Sequence, residues 1–195
     1  MPYSIWADLS GPVADRLQQE MYRLSDLHCS PKFQAHVTLT RLTEHDADTV
    51  LQLAAKLAQT LAPFELGFAR RAVLGAWNPI PERNQEVIHV VLLLCDTARP
   101  GITAAIERVT ELFKLPDPPE YPPHLPLIFC AQMSDDTRNT IVQEAKDHLF
   151  GRFAQAGLQL EGTPLPVKSI SVWETPYEGI AQWRLLKEFP LTASA

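Results

Sequence analysis

Apolar and polar residues alternate at the start of the chain, and a helical pattern follows at once. In YSIWADL (residues 3–9), every second position is Tyr, Ile or Ala, which predicts a strand that ends before Gly11 and Pro12. The next apolar residues recur at spacings of four, four and three, as on one face of an amphipathic helix: Val13, Leu17, Met21 and Leu24. The chain therefore begins with a strand and a helix.

The same two periods recur along the rest of the chain. HVTLTRL (36–42) alternates again, and residues 43–46 resemble an N-cap for a helix that carries Val50, Leu53, Leu57 and Leu61. Strands are predicted near 66–76 and 87–95 around a turn at 78–81, and a helix over 102–113 ends at a proline cluster. A strand near 124–131 precedes a helix that Ser134 caps and that runs to about Phe150. Apolar stretches near 156–160, 167–173 and 180–186 predict the last strands.

Composition limits the class of protein and of ligand. Of the 195 residues, 46% are hydrophobic and only 8 are Gly, which excludes a disordered or collagen-like chain. The 17 Pro stiffen many connections. A formal charge of −6 disfavours a long nucleic-acid groove, because such a surface is basic, but it permits a small anion held by a few local donors.

Cysteine use and hydropathy bear on the compartment. The three Cys are far apart and form neither a disulfide framework nor a zinc knuckle. The N-terminus lacks a basic region followed by a long apolar stretch, and no run approaches the roughly 18 apolar residues of a membrane span. We therefore expect an intracellular protein, cytoplasmic or Golgi-associated, with no membrane partner.

The first group of residues suited to catalysis lies on the strand 36–42. Side chains alternate along a strand, so we expect His36, Thr38 and Thr40 to share one face and the intervening apolar residues to point to the core. An imidazole moves protons near neutral pH, and a neighbouring hydroxyl binds a phosphate oxygen. A solvated strand histidine would look the same, so the interpretation depends on a second histidine.

That second histidine is His124, in YPPHLPLIF (121–129), 88 residues after His36. At this spacing the chain has room for two similar lobes. Together with YSIWADL, FQAHVTLT, VVLLLCDT and the C-terminal ISVWETPYEGIAQWRLLKEFPL, the segment resembles the 2H phosphoesterases. Within them it is most similar to the plant and fungal 2′,3′-cyclic nucleotide phosphodiesterases. The resemblance extends over almost the whole chain and depends on the order and spacing of short motifs.

The resemblance implies a single bilobal domain over 1–195, of α/β (α+β) class, with two antiparallel sheets facing a central groove and helices outside. It implies that His36 and His124 are catalytic: one imidazole takes a proton from water and the other protonates the leaving ribose oxygen, with no metal and no cofactor. The implied substrates are 2′,3′-cyclic nucleotides, yielding 2′-nucleotides, and the ADP-ribose 1″,2″-cyclic phosphate of tRNA splicing. A monomer that binds no long nucleic acid is expected.

Five further residues are expected to bind substrate. Thr38 matches the hydroxyl position of the first family motif, and Thr40 is a possible helper. Trp6 is a candidate aromatic wall, Phe129 stands where the family commonly has Tyr, and Tyr177 is a candidate for stacking on a base.

Two departures from the family keep other functions open. Pro126 stands where the second family motif has Ser or Thr, so one hydroxyl is missing, and Phe129 lacks the OH of the Tyr that the family commonly has. His89, in a strongly apolar strand, is interpreted as structural. One alternative is therefore a binding module that grips a nucleotide or RNA end and turns it over poorly. Another is a protein-interaction domain that uses the proline segment 118–123.

Overall fold

The computed structural model of the chain describes residues 2–42, 45–77, 87–96, 99–115, 122–155, 157, 159–177 and 179–193. The strands and helices are, in chain order, β1 Tyr3–Leu9, α1 Pro12–Leu27, β2 His36–Leu42, α2 Ala47–Thr60, β3 Phe64–Leu66, β4 Phe68–Trp77, β5 Val87–Leu94, α3 Arg99–Leu112, β6 His124–Phe129, α4 Asp135–Asp147, α5 Phe153–Gln155, β7 Leu165–Glu174 and β8 Arg184–Pro190. A π-helical turn, His148–Arg152, joins α4 to α5, and a 3₁₀ turn, Ile180–Gln182, precedes β8.

The strands form two antiparallel sheets, which confirms the predicted fold class. The five-stranded sheet has the order β2-β1-β7, and both β3 and β8 pair with different parts of the long strand β7. The three-stranded sheet has the order β4-β5-β6. The strands β2 and β6, which carry the two motif histidines, are thus edge strands of different sheets, and they contact each other.

Helices pack on both sheets, including the two edge strands β2 and β6. α2 packs on β7 and β8, α3 on β2 and β3, α1 on β6, and α4 on β4. The predicted apolar stripes face inward: Leu17, Leu24 and Leu57 are all fully buried. Burial of each such leucine side chain is worth about 1.5–3 kcal/mol relative to leaving it exposed. The buried apolar residues form one cluster that includes residues of both sheets.

Two helix starts agree with the sequence because a side chain satisfies a free backbone N–H. The Asp46 carboxylate accepts from the N–H of Thr49 at 2.9 Å, and the Ser134 hydroxyl accepts from the N–H of Thr137 at 3.3 Å. Asp46 is thus the capping residue within the predicted segment 43–46, of which residues 43 and 44 lie outside the described part. The last predicted helix keeps α geometry only to Asp147, where the π-helical turn begins.

Some predicted strands are wrong, and glycine explains two of the three cases. The run 66–76 is two strands in different sheets, β3 and β4, separated by Gly67. Within 156–160, residues 157, 159 and 160 form no strand, because Gly157 and Gly162 adopt φ of +75° and +70°. The run 180–186 begins with the 3₁₀ turn, so its strand starts only at Arg184.

Other predictions lie outside the described residues or concern membranes. The turn at 78–81 and residues 118–121 of the proline segment belong to the part of the chain that is not described. Every helix that the described residues form is too short or too polar to serve as a membrane span.

Candidate active site

A cavity of about 360 Å³ lies between the two sheets, and strands or loops supply all the residues that line it. The five-stranded sheet contributes Ser4, Trp6, His36, Thr38 and Arg41. The three-stranded sheet contributes Val73, Leu74, Gly75, Ala76, His89, Val91, Leu93, His124, Pro126 and Phe129. Pro122, Thr175 and Trp183 complete the lining from loops. Both predicted catalytic histidines therefore face one cavity.

The rings of His36 and His124 are held in the same way, each by a nearby backbone carbonyl. The Nδ1 of His36 is 2.6 Å from the carbonyl oxygen of Gln34, and the Nδ1 of His124 is 2.9 Å from that of Pro122. In each case the carbonyl belongs to the residue two positions earlier. A carbonyl only accepts, so Nδ1 carries the hydrogen and, in the neutral ring, Nε2 carries the lone pair. Nε2 is then the nitrogen of each ring that takes or gives a proton.

The two rings differ in their surroundings. His36 is only 2% exposed and lies flat on Trp6, with ring centroids 3.5 Å apart and planes 6° apart. Burial lowers the pKa of His36 to about 3, although its bond to Gln34 acts in the opposite direction, and positive charge on His124 or His89 lowers it further. His124 is half-buried, and burial lowers its pKa too. Both imidazoles are neutral at pH 7 when no anion is bound.

A one-residue register shift changes which side chains of β2 face the cavity. Ile5 of β1 is opposite Thr40, but its neighbour Trp6 is opposite Thr38, so an extra residue of β2, Leu39, is accommodated between them. Adjacent residues of β1 point to opposite faces. Thr38 therefore shares the cavity side with Trp6, whereas Thr40 shares the core side with Ile5, where it is 4% exposed. The predicted shared face of His36 and Thr40 is wrong.

The strand β6 has a register shift at the equivalent place. Val91 of β5 is opposite Pro126, and its neighbour Val90 is opposite Ile128. Counted from each histidine, Thr38 thus corresponds to Pro126, and Arg41 corresponds to Phe129. Proline is tolerated here because β6 is an edge strand, where a residue without an N–H costs little. The two sides of the cavity therefore have the same backbone arrangement, but β2 presents polar side chains at the positions where β6 presents apolar ones.

The polar side of the cavity contains a cation that the sequence analysis missed. Arg41 lines the cavity, donates from a terminal nitrogen to the carbonyl of Thr175 at 2.8 Å, and lies under the ring of Tyr177, 4.4 Å from its centroid. Tyr177, predicted to stack on a base, is placed against this guanidinium and is not among the residues that line the cavity. In the sequence, Arg41 directly follows the polar positions Thr38 and Thr40 of β2, so regular alternation places it on the opposite face. Only the register shift shows that its side chain faces the cavity.

Comparison with known proteins agrees with this geometry. Residues 8–79 match the family model described as LigT like Phosphoesterase, and none of the curated proteins matches the chain. A crystal structure of TT0787 of Thermus thermophilus superposes with a TM-score of 0.56 at 17% identity, over 98% of each chain. Escherichia coli LigT complexed with 3′-AMP superposes at 0.54 and 17% identity, over 98% of each chain. Kluyveromyces marxianus Usb1 superposes at 0.51 and 9% identity, over 97% of this chain and 98% of that one.

The chain has the LigT-like phosphoesterase fold. The matched segment runs from the end of β1 into β4 and beyond, so it includes His36, Thr38 and Arg41. The predicted resemblance to phosphoesterases is thus confirmed for the fold and for this segment of the chain. The finer resemblance, to plant and fungal cyclic nucleotide phosphodiesterases, stays a prediction.

In this LigT-like fold, aromatic side chains form one wall of the cavity. Trp6 lies on the cavity as predicted, stacked between His36 and Trp173, whose ring centroid is 4.3 Å away. Phe129 also lines the cavity, 5.6 Å from Trp183 in an edge-on arrangement. Trp183 was missed because it follows a 3₁₀ turn, where no periodic pattern indicates its direction.

A buried carboxyl lies behind the aromatic wall. Asp8 is opposite His36 in the β1–β2 pairing, is 5% exposed and accepts a 2.6 Å hydrogen bond from the hydroxyl of Ser171, which in turn accepts one from Nε1 of Trp173. Burial raises the pKa of Asp8 to about 7, and the negative charge of Glu188 adds to this, while the hydrogen bonds from serine act against it. Within the described residues, no group of three or more His, Cys, Asp or Glu side chains is arranged to hold a metal.

The raised pKa of Asp8 predicts a pH-dependent stability. The folded protein keeps this proton up to about pH 7, whereas the unfolded chain loses it near the ordinary value of 3.8. The folded state therefore binds more protons between these values, and this group's contribution to the free energy of unfolding falls as pH rises through the window. Over about three pH units the effect is at most about 4 kcal/mol. Asp8→Asn removes it, so the variant gains on the wild type between pH 4 and pH 8.

Urea unfolding of both proteins at pH 4, 6 and 8 measures this difference directly. The histidines titrate in both proteins, so their opposite pH dependence cancels in the comparison. Asp15→Asn, on the exposed side of α1, controls for the loss of one carboxyl. A constant difference between Asp8→Asn and the wild type at all three pH values would contradict the buried, protonated carboxyl.

Proposed function

We propose that the chain hydrolyses small cyclic phosphodiesters, 2′,3′-cyclic nucleotides in the first place, by two-histidine acid–base catalysis without a metal. One observation carries the proposal. Adjoining edge strands of two sheets present His36 and His124 to one cavity, each with Nδ1 bonded to a backbone carbonyl, so that Nε2 is the nitrogen that would transfer a proton. Two imidazoles in this arrangement are what an in-line displacement at phosphorus requires.

In the proposed reaction, water attacks phosphorus while one Nε2 takes its proton, and the other Nε2 protonates the ribose oxygen as the P–O bond breaks. The hydroxyl of Thr38 donates to a non-bridging oxygen, and the charge of Arg41 compensates the negative charge that develops on the equatorial oxygens. The product of this opening is a nucleoside 2′-monophosphate. The binding energy comes mainly from the five-stranded sheet, which supplies both Thr38 and Arg41.

Burial supports an assignment of the two roles. His36 is enclosed and stacked on Trp6, so a charge on it is costly, and it enters the reaction neutral as the base. His124 is half-buried and holds a proton at lower cost once the phosphate anion is in the cavity. We therefore assign His124 as the acid that protonates the leaving ribose oxygen.

The size of the cavity and the ligands of similar proteins support the substrate class. About 360 Å³ accommodates a nucleotide rather than a long strand. E. coli LigT has been crystallised with 3′-AMP, with phosphate and with NADP+, and Usb1 with uridine monophosphate. These are nucleotides or the phosphate group itself. ADP-ribose 1″,2″-cyclic phosphate, with its larger adenylate portion, is the second candidate substrate.

A panel of substrates tests the proposal. The wild-type protein is incubated with 2′,3′-cyclic AMP, 3′,5′-cyclic AMP and ADP-ribose 1″,2″-cyclic phosphate, with EDTA present, and products are separated by chromatography against 2′-AMP and 3′-AMP standards. We expect 2′-AMP from the first substrate and no reaction with the 3′,5′ isomer. Activity that needs added metal would contradict the mechanism, and absence of turnover on every substrate would contradict the function.

A binding module is the second candidate function, because Pro126 leaves the β6 side of the cavity without the hydroxyl that Thr38 supplies on the β2 side. In that case the protein retains a nucleotide but turns it over poorly. Robust turnover by the wild type would dismiss this candidate.

Restoring the hydroxyl is expected to improve substrate binding. Pro126→Ser should lower the KM for 2′,3′-cyclic AMP by about threefold to tenfold, the effect of one additional hydrogen bond. Pro126→Ala is the matched control, because it restores the backbone N–H and removes the ring without adding a hydroxyl. Equal kinetics for the Ser and Ala variants would show that no hydroxyl is missing from this side. A rise in kcat from a nearly silent wild type would favour the binding module.

A further inference from the structure

A third histidine lies in the cavity, and neither the acid nor the base role uses it. His89 is in β5, the central strand of the three-stranded sheet, and lines the cavity with only 7% of its surface exposed. Its ring centroid is 5.2 Å from that of His124 and 5.4 Å from that of Phe129. The apolar sequence around it suggested a structural histidine, but its place in the fold is beside a reacting group.

The neighbouring strand leaves room for this ring. Gly75 of β4 is opposite His89, and a Cβ on residue 75 would lie 2.7 Å from its Nε2 and 2.8 Å from its Cδ2. Any side chain at position 75 would displace the imidazole. The absence of a side chain at Gly75 therefore leaves the space that the His89 ring occupies beside the cavity.

The hydrogen bonding of His89 differs from that of the other two histidines in the cavity. Its Nδ1 is buried, and the described residues offer it no hydrogen-bond partner. By contrast, His36 and His124 each bond to a carbonyl, and outside the cavity His28 is 2.8 Å from a carboxylate oxygen of Glu144. A buried imidazole without a partner costs free energy, which a ligand recovers when it completes the bond.

The chemistry of the cavity indicates what such a ligand would offer. Among the lining residues of the three-stranded sheet, only His89 and His124 have polar side chains, because Pro126 and Phe129 occupy the places of Thr38 and Arg41. If His124 transfers a proton to the leaving oxygen, a phosphate oxygen on this side has His89 as its remaining donor. The other charged or titratable groups around the cavity, His36 and Arg41, come from β2.

We propose that His89 is a third substrate-contacting residue, which donates an imidazole N–H to a non-bridging phosphate oxygen and so takes the place of the hydroxyl that Pro126 lacks. The assignment rests on the proposed function. The pKa of His89 is lowered to about 3 by burial and by charge on His124, so the ring that meets the phosphate at pH 7 is a neutral donor. His89 therefore contributes to binding rather than to proton transfer.

Calorimetric titration with inorganic phosphate and with 2′-AMP at pH 7 tests the assignment. His89→Phe keeps an aromatic ring of similar size and should weaken binding of both ligands about tenfold or more, the loss of one hydrogen bond to a charged group. His89→Asn places an amide N–H near the position of Nδ1 and should stay within about threefold of the wild type. His28→Phe, which removes a histidine outside the cavity, is the matched control.

Nuclear magnetic resonance of the wild type, with ¹⁵N-labelled histidine, gives a result even if a variant does not fold. The chain has six histidines, three in the cavity and three outside, and the His89 signal is identified by its loss in His89→Asn. Added phosphate should move the nitrogen signals of the three cavity histidines and leave those of His28, His45 and His148 in place.

The outcomes separate the two proposals. Equal affinity of His89→Phe and the wild type, or a His89 signal that phosphate does not move, overturns the role of His89. The proposed function then still stands if the wild type opens 2′,3′-cyclic AMP. A wild type that neither binds phosphate nor 2′-AMP nor opens the cyclic substrate overturns both.

Discussion

Loss of either motif histidine is expected to reduce kcat/KM for 2′,3′-cyclic AMP by about 10²–10⁴-fold, the usual contribution of one general acid or base. Asparagine is the informative replacement at both positions. Its side-chain N–H can keep the hydrogen bond that Nδ1 of His36 gives to Gln34, or that of His124 to Pro122, while the proton-transferring Nε2 is lost. His36→Asn and His124→Asn thus change the chemistry with little change in local structure.

The pair of variants also tests whether the histidines act together. Because both act in one transition state, the double variant should lose much less than the product of the two single effects. Steady-state hydrolysis with EDTA present is the measurement, and His28→Asn controls for a histidine replacement outside the cavity. Near-normal turnover by both single variants would show that the cavity is not the catalytic site.

Removal of the Arg41 charge should have the next largest effect. Arg41→Met keeps much of the side-chain volume but loses the cation, and we expect kcat/KM to fall about 10²–10³-fold, as when one electrostatic contact to the transition state is removed. Most of the loss should appear in kcat if the guanidinium acts chiefly on the developing charge. Arg41→Lys should recover only part of it, because an ammonium cannot bond to Thr175 and to a phosphate oxygen in the same forked geometry.

The chain offers a matched control for this arginine. Arg184 is also in the five-stranded sheet, but it is exposed and bonded to Glu174, outside the residues that line the cavity. Arg184→Met should leave the kinetics unchanged. If the two methionine variants behave alike, the charge of Arg41 has no special role in the reaction.

The local periodicity of the sequence was sufficient for much of the fold. Alternation on HVTLTRL and the stripe that includes Leu17 and Leu24 depend only on neighbours along the chain, so the strands and most helices could be predicted. The histidine motifs could also be located, because each lies at the start of such a strand. This pattern could not predict which sheet a strand joins. A single apolar run across Gly67 forms β3 of one sheet and β4 of the other.

What the sequence did not reveal depends on pairing between strands that are far apart in the chain. The extra residue in β2 puts Thr40 in the core and Arg41 on the cavity, and only the register against β1 shows this. In the same way, His89 was interpreted as structural because only its own apolar strand was visible in the sequence. Its neighbours in the fold, Gly75 and His124, lie on two other strands. Pairings of this kind are tertiary facts that propensity and period do not encode.

The contact between β2 and β6 has a mechanical consequence. Within each sheet, a ladder of backbone hydrogen bonds fixes the position of its histidine. The two edge strands belong to different sheets, so packing contacts set the spacing between them. Isolated bonds assist, such as the 2.8 Å bond from the hydroxyl of Ser30, in the loop before β2, to the carbonyl of Phe129 in β6. Separation of the two histidines is therefore opposed by packing rather than by a ladder of backbone hydrogen bonds. Packing along this seam, some of it remote from any bound nucleotide, sets how often the pair is aligned for turnover.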